Sequence, residues 1–518
     1  MDDLASRYDA WKAPQNDGAV LLWPEPRTLI AQARENQQSL ARAASPIQNT
    51  PLSELRRQLR QFLGIQDDRQ LAFFTGHQTE LHHPGVWAKN VLIDAAASAI
   101  DGVAMHVAVD TDAPKHLSIR FPGFNQPFTD DPAAASADWA QLVAPPTPAH
   151  LASLSGGLST TSEHLPFSLG VQPFLDCCRR FSLDAEHLPQ LLTAALHEYD
   201  WSLGLRYSAL LASPIWSSPQ FLAFAHHLLC HADRFAADYN AALKSYRERN
   251  GIRTPGRPMP ELVLKRDATT GKAGDADGHQ DGDRCETPFW RDDLQRGRRV
   301  RAWVERAGGQ WALVVGEDAF GLDPALPADE AADRLAIFLR RHQLRLAPRA
   351  LTLTMTLRLL VADQFVHGIG GGQYDQVADE IIARFFAVDP PRFCVTTATL
   401  YWPTAAGRRR TDLPELLQAF HRLKHQVLGD AKSELVSAIV RAPRRSTERQ
   451  QLFQRMHSDL AAASAASAEL ASWEQQLKDA SVRVIEERAI FDRETFYALQ
   501  PSDRLHSLIG TYGRMIRG

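Results

Sequence analysis

Apolar and polar positions alternate along the chain in patterns that name its elements. Around Leu52–Leu63 apolar residues recur at three- and four-residue spacing, the signature of an amphipathic helix. Leu71-Ala72-Phe73-Phe74 reads as a short apolar strand that runs into Thr75-Gly76-His77-Gln78 and a polar, histidine-rich loop. From Gly85 to Ile100 the spacing predicts a helix with Val86, Trp87, Val91, Leu92 and Ala95 on one face, and Val103–Val109 is a second strand. Strand, loop, helix and strand in so short a stretch make a βαβ unit, and such units build parallel sheets. In open parallel sheets ligands bind beyond the carboxyl ends of the strands, which places Thr75–Gln78 and Asp110-Thr111-Asp112 on the functional edge.

The rest of the chain is read in the same way. Residues 120–260 are expected to form a helical insertion, with proline- and alanine-rich loops at 132–149 and helices at Leu188–Tyr199 and Gln220–Tyr239. Residues 266–286 hold almost no apolar side chain and are expected to be a mobile loop, since they cannot bury enough surface to offset their ordering entropy. Val300–Glu305 and Gln310–Val315 flank Gly308-Gly309 and suggest a β-hairpin. Leu351–Val366 is apolar and returns to the core. A glycine loop, His367-Gly368-Ile369-Gly370-Gly371-Gly372, then opens a helix at Tyr374–Phe386 that leads to a β-rich run at Phe393–Trp402.

Beyond residue 403 the character changes. Leu413, Leu416, Leu417, Phe420, Leu423, Val427 and Leu428 form a helical stripe that breaks at Ala442-Pro443. Thr447 and Gln450 then suit a capping box, and a second helix to about Arg488 turns Leu452, Met456, Leu460, Leu470, Trp473, Leu477 and Ile485 inward. The expectation is an α/β protein with three parts. Residues 1–403 form a Rossmann-like parallel-sheet core with a helical insertion. Residues 404–490 form an α-helical hairpin or coiled coil, and residues 491–518 a tail that returns to the core.

Composition narrows the function classes. At 518 residues the chain exceeds one ordinary core. With 44% hydrophobic and 23% charged residues it is not wholesale disordered. A net charge of -4 gives no overall attraction to nucleic acid or to an anionic membrane, although Arg408, Arg409 and Arg410 form a local basic run. No apolar run approaches the roughly 20 residues of a membrane span, and the acidic start lacks the pattern of a secretory signal. Five cysteines without a CxxC pair read as free thiols of a reducing compartment, so the expected location is the cytoplasm.

Two segments carry candidate chemistry. Gly368, Gly370, Gly371 and Gly372 let backbone amides approach a ligand at the positive end of the following helix, where a phosphate or carboxylate is the natural guest; a tight turn without ligand is the plainer alternative. The segment lacks a P-loop lysine and full dinucleotide spacing. The first segment offers His77, Gln78, His82, His83 and Lys89. The lysine suits a phosphate, or is a solvated helix residue. The histidines suit proton transfer, hydrogen bonding or a metal, but no HxxxH or HExxH spacing is present and no metal site is assigned. Asp110 and Asp112 suit magnesium, an amine or the capping of a turn. Cys177-Cys178 has no basic partner in sequence, which argues against a catalytic thiol.

The run TGHQTELHHPGVWAK from Thr75 to Lys89 resembles the TGQQ-type loop, glycine–proline step and helix lysine of the bacillithiol biosynthesis cysteine-adding enzyme (BshC) family. Gly76, Gln78 and Leu81 match, His77 replaces the first glutamine, and Pro84-Gly85 reverses the step. Asp110-Thr111-Asp112 is similar to the family's acidic segment. HGIGGGQYDQVADEII stands where the family has a GGPGE-type loop, without its proline and glutamate. Residues 412–509 resemble its coiled coil and returning tail.

The resemblance implies a Rossmann-like core, a dimer formed through the coiled coil, and ligase chemistry that joins cysteine to the amine of glucosaminyl malate. On that reading His77 and His367 move protons. Gly76, Gln78, His83, Lys89, Asp110, Asp112, Gly368, Gly370, Gly371, Gly372, Tyr374 and Asp375 hold substrate or nucleotide, with ATP or ADP and magnesium as the implied cofactors. The competing expectations are a non-catalytic nucleotide or small-molecule binding protein that dimerises through its coiled coil, and a purely architectural coiled-coil protein. Neither nucleic acid nor a membrane is an expected partner.

Overall fold

The computed structural model describes residues 11–254, 256–265, 283–307 and 309–518. It divides into two compact units, one formed by Met1–Leu400 with Arg493–Gly518 and the other by Tyr401–Asp492.

The first unit is built on a six-stranded sheet. Its strands are β1 (Val20–Trp23), β2 (Ala72–Gln78), β3 (Val103–Val109), β4 (Ser208–Leu211), β5 (Gln364–His367) and β6 (Cys394–Ala398), in the spatial order β1-β6-β5-β2-β3-β4. Every neighbouring pair is parallel except β1 with β6. The helices that matter for the site are α1 (Leu52–Phe62), α2 (Pro84–Ser98), α3 (Ala350–Leu360), α4 (Ile369–Ile381) and α5 (Ser502–Arg517).

The two central strands are pinned at their starts by one carboxylate. On α1, Leu52, Leu55 and Leu59 are buried, as their spacing predicts, but Arg56 and Arg60 are buried on the same side. Their charges are met by Asp363, at 2.6 Å from Arg56 and 3.1 Å from Arg60. Asp363 also accepts the amide of Ala72 at 2.8 Å, so the residue that precedes β5 holds the first residue of β2. Phe73, Phe74 and Thr75 then pair with Gln364, Phe365 and Val366, which brings the ends of β2 and β5 to one level. Removing Asp363 would leave two buried guanidinium groups unpaired, a large cost.

Several segments depart from the sequence expectation. Thr75–Gln78 is not loop but the second half of β2, because its parallel pairing with β3 runs on to Gln78 and Val109. The span 120–260 is not a single helical insertion: β4 lies within it and completes the main sheet, and Ser118–Phe121 pairs with Phe124–Pro127 as a hairpin. Gln220–Tyr239 is two helices, Pro219–Cys230 and Ala232–Arg249, which meet at His231. α2 is buried on all sides from Pro84 to Ile93 and not on one face, since it packs on the sheet and also against α5.

A second, antiparallel sheet has the order Asp318–Gly321, Gln310–Val315, Arg298–Ala307, Arg284–Asp293 and Leu344–Pro348, with Leu264–Lys265 paired to Arg284–Asp293. The expected hairpin is there, with Gly309 at a φ of 87°; residue 308 lies outside the described residues. Of the expected mobile loop, residues 266–282 lie outside the described residues. Its end is strand, with Cys285 and Glu286 buried. Glu286 is buried because Arg349 and Arg301 meet it, at 2.6 Å and 3.4 Å, a pairing that a polar composition conceals.

The returning tail belongs to the first unit. Tyr497 donates its hydroxyl to the buried Asp200 at 2.6 Å and stacks on Trp87 of α2 with ring centroids 4.8 Å apart. Leu505, Leu508 and Tyr512 of α5 are buried.

The second unit has four helices, Leu413–Gln426, Gly429–Arg441, Thr447–Ala466 and Ala468–Ile490. The first packs on the last and the second on the third, so two broken arms run antiparallel. Ser446, not Thr447, caps the third helix, accepting the amide of Arg449. The arm expected to run unbroken to Arg488 breaks at Ser467, which caps the fourth helix through the amide of Leu470. Leu460, Leu470 and Leu477 face inward, but Leu417 and Ile485 are exposed, contrary to the helical stripe. Among the described residues, no helix is long and apolar enough to cross a membrane.

Candidate functional site

The crossovers of the main sheet diverge at its centre. From β2 the chain passes through α2 to β3 on one side, and from β5 through α4 to β6 on the other. Right-handed crossovers that leave in opposite directions put their helices on opposite faces and open a crevice between the strand ends. Accordingly α2 packs beside α5, while α4 packs beside α3 and Ala232–Arg249. The crevice is a cleft of ≈ 450 Å³, and both His77 and His367 line it.

One wall comes from β2 and the start of α2. Gly76 lies so close to β3 that a Cβ there would stand 3.0 Å from the carbonyl oxygen of Val107. Lys89 is buried, and its Nζ donates to the carbonyl of Gly76 at 2.8 Å. Burial lowers its pKa to about 7, against the opposing pull of Glu80. Glu80, also buried, is raised by desolvation to about 7. Its Oε1 lies 3.2 Å from Nδ1 of His77, whose pKa burial and Lys89 push well below the ordinary value. His83 accepts the amide of Gly85 through Nδ1 at 3.1 Å and so caps α2, and Pro84 occupies the first helical turn, where it has no amide to lose. Burial holds His83 down to about 3 and His82 to about 4, so these rings are neutral.

The other wall comes from the end of β5 and the start of α4. The glycine segment is not a loop before a helix at Tyr374: the helix begins at Ile369, and Gly372 already donates its amide to Gly368. The amides of Ile369, Gly370 and Gly371 are therefore first-turn donors without a helical acceptor, the arrangement that receives an anion. Added Cβ atoms at Gly368 and Gly370 would meet nothing within 4 Å, so the space beside these amides is open. Gly371 is different: a Cβ there would come within 2.9 Å of Nδ1 of His367. The other ring nitrogen, Nε2, bonds Oδ2 of Asp375 at 2.8 Å. Arg358 donates to the same oxygen at 2.6 Å, and Thr354 donates to Oδ1 at 2.6 Å. These donors and the Arg358 guanidinium hold Asp375 far below the usual carboxylate range despite its burial. His367 is lowered, because its burial outweighs Asp375.

Of the candidate residues, Gly76, His77, Gln78, His83, Lys89 and Asp112 reach the cleft from the first segment. His367, Gly368, Gly370 and Gly371 reach it from the second. Gln78 donates to Asp112 at 3.0 Å and fixes that carboxylate at the edge. Four residues do not line it. Asp110 is buried behind, where it accepts from Ser213 and Gln141 and ties β3 to its neighbours. Gly372 packs against Val395 and Trp11, so its missing side chain serves the core and not a ligand. Tyr374 is exposed and is not part of the lining, and Asp375 bonds His367 without lining the cleft itself.

Sequence reasoning missed Glu80, Thr354, Arg358 and Arg493. Arg358 had a signal, a lone charge in the apolar helix ALTLTMTLRLL. Arg493, which donates to Thr397 at 2.8 Å, had none. Among the described residues, no group of three or more His, Cys, Asp or Glu side chains is arranged to hold a metal ion.

No protein-family model matches the chain, and no curated protein matches it.

Proposed function

We propose that the cleft binds a small carboxylate and joins it to an amine, as in the BshC-like reading, with a cysteine-like donor and an amino-sugar-type acceptor. The observation that carries this is the pairing of a carboxylate-held imidazole, His367, with the open first turn of α4 in one cleft. The donor class and acceptor class rest on the resemblance of the two segments. The Rossmann-like description of the core, the coiled coil and a homodimer formed through Tyr401–Asp492 belong to the same reading, as does a cytoplasmic location.

Amide formation asks three things of this cleft. The carboxylate needs hydrogen-bond donors, which the amides of Ile369, Gly370 and Gly371 provide. The amine must lose a proton as its nitrogen attacks the carboxyl carbon, and neutral His367 can take it at Nδ1 while Asp375 faces the resulting imidazolium. Water must be kept from the activated carboxyl group, which a recessed cleft favours. ATP with magnesium would supply that activation by transferring a phosphoryl group to the carboxylate, so that one carboxyl oxygen leaves with the phosphate as the C–N bond forms. The open space at Gly368 and Gly370 fits a phosphate, and Asp112 and Glu494 are carboxylates lining the cleft that could face magnesium. Lys89, near neutral charge balance at pH 7, would stiffen the opposite wall through Gly76.

A thermal-shift screen with ATP, ADP, cysteine and amino sugars tests the site. A ligand present at about 100 times its Kd adds roughly 2.7 kcal/mol to stability. Stabilisation that is lost in His367→Ala and weakened in His77→Ala supports the reading. Stabilisation without any turnover would favour a binding protein, and no stabilisation by any of these ligands would sink the cleft as a site.

A further inference from the structure

We propose that Arg358 is the positioning residue of this cleft: acting through Asp375, it locks His367 with Nε2 protonated and the Nδ1 lone pair turned toward the first turn of α4. This rests on the reading of His367 as the group that takes a proton.

The argument starts from the lone pairs of Asp375. Oδ1 is taken by the hydroxyl of Thr354, and Oδ2 is shared by Arg358 and Nε2 of His367. Arg358 and Asp375 are both buried, so neither is hydrated, and the pair holds the carboxylate as an anion that only accepts. An accepting Oδ2 at 2.8 Å requires hydrogen on Nε2 of His367. In the neutral ring Nδ1 is then bare, and it lies under Gly371, beside the amides of α4. A proton taken from a ligand seated at those amides has one place to go.

Arg358 is itself fixed. Its second nitrogen donates to Asp379 and to the carbonyl of Pro391, and its guanidinium lies 5.1 Å from the ring centre of Phe393, which also packs edge-on against His367 at 5.2 Å. A planar fork that meets two carboxylates and a carbonyl is a geometry lysine cannot copy. The charged groups facing His367 are Asp375 from α4, Arg358 from α3 and Lys89 from α2. Asp379 reaches it only through Arg358.

The test is nitrogen-15 NMR of the full chain with labelled histidine, without substrate, for wild type, Arg358→Gln and Arg358→Lys. Thermal melting of each establishes that it folds. The wild type is expected to show His367 protonated at Nε2. In Arg358→Gln the two tautomers mix, and the ring titrates at higher pH, because a cation that opposed its protonation is gone. Arg358→Lys keeps the charge but places its donors on one nitrogen without the planar fork, so it restores the titration more fully than the tautomer. A merely structural role lowers melting temperature and moves neither signal. Wild-type protein protonated at Nδ1, or a folded Arg358→Gln or Arg358→Lys with unchanged spectra, would overturn the proposal. The spectra need no turnover, so this result stands or falls apart from the reaction assigned to the cleft.

Discussion

Nε2 of His367 and Oδ2 of Asp375 stand 2.8 Å apart, eight residues distant in the chain, across the junction where β5 becomes α4. The strand end presents the imidazole to the cleft, and the second turn of the helix brings the carboxylate up behind it. The contact therefore orients the imidazole through a residue that does not itself line the cleft.

That contact also carries stability with a defined pH dependence. Asp375→Asn removes the charge that balances buried Arg358, so unfolding free energy should fall by about 3–5 kcal/mol at neutral pH. Asp375 titrates well below its ordinary value in the folded protein. Its contribution is thus complete above the unfolded value of about 3.9 and is lost as pH falls toward the folded one. Denaturant melts should show the gap between wild type and variant constant from pH 8 to 5 and closing below about pH 4.

Lys89 has the opposite sign. Its pKa falls from the ordinary value to about 7 on burial, so the native state bears the cost of its charge below pH 7. Between pH 7 and about 10.4 only the unfolded chain keeps the proton, and that cost disappears. Lys89→Met should therefore be more stable than wild type at pH 6, with an advantage that shrinks steadily to pH 10. A constant difference across that range would mean that Lys89 is not desolvated.

The glycines of α4 should divide by neighbour. Gly370→Ala adds a methyl group to open space and should leave the melting temperature nearly unchanged. Gly371→Ala pushes on Nδ1 of His367 and should abolish ligand stabilisation with little loss of fold. Gly372→Ala drives a Cβ to within 2.5 Å of Val395 and should cost about 1–3 kcal/mol by overpacking. Melting curves of the three variants with and without ligand separate these effects.

Tyr497 should anchor the returning tail. Asp200 is buried and accepts from Trp87, Tyr207 and Tyr497. Tyr497→Phe keeps the stack on Trp87 but removes one donor from that carboxylate, a loss of about 1–3 kcal/mol. Hydrogen exchange should quicken in Ser502–Arg517 before it changes in β2, and equal protection of both segments in the variant would contradict the anchor.

Local pattern revealed the elements whose surroundings are simple. Val103–Val109 coincides with β3, and Leu52–Phe62 forms within the expected helix, because each has an apolar side that the core receives. The strand Arg284–Asp293 was hidden because its buried Glu286 and Asp292 look solvated until arginines distant in sequence, Arg349 and Arg345, meet them. The position of the cleft was legible, since strand ends and helix starts carry their own signals. The division of labour within it was not. Asp110, Gly372 and Tyr374 share the chemistry or the spacing of the true lining residues, and only packing assigns them elsewhere. Arg358, conversely, enters from a helix whose otherwise uncharged sequence gives no hint of the site it serves.

The proposed reaction joins a carboxylate to an amine in this cleft, with His367 taking the proton. Its most direct test is mass spectrometry of a reaction holding the protein, cysteine, glucosaminyl malate, ATP and magnesium. A product whose mass is that of the two substrates less one water is expected with wild type and lost in a folded His367→Ala. Absence of that product with wild type, or its undiminished formation by His367→Ala, would contradict it.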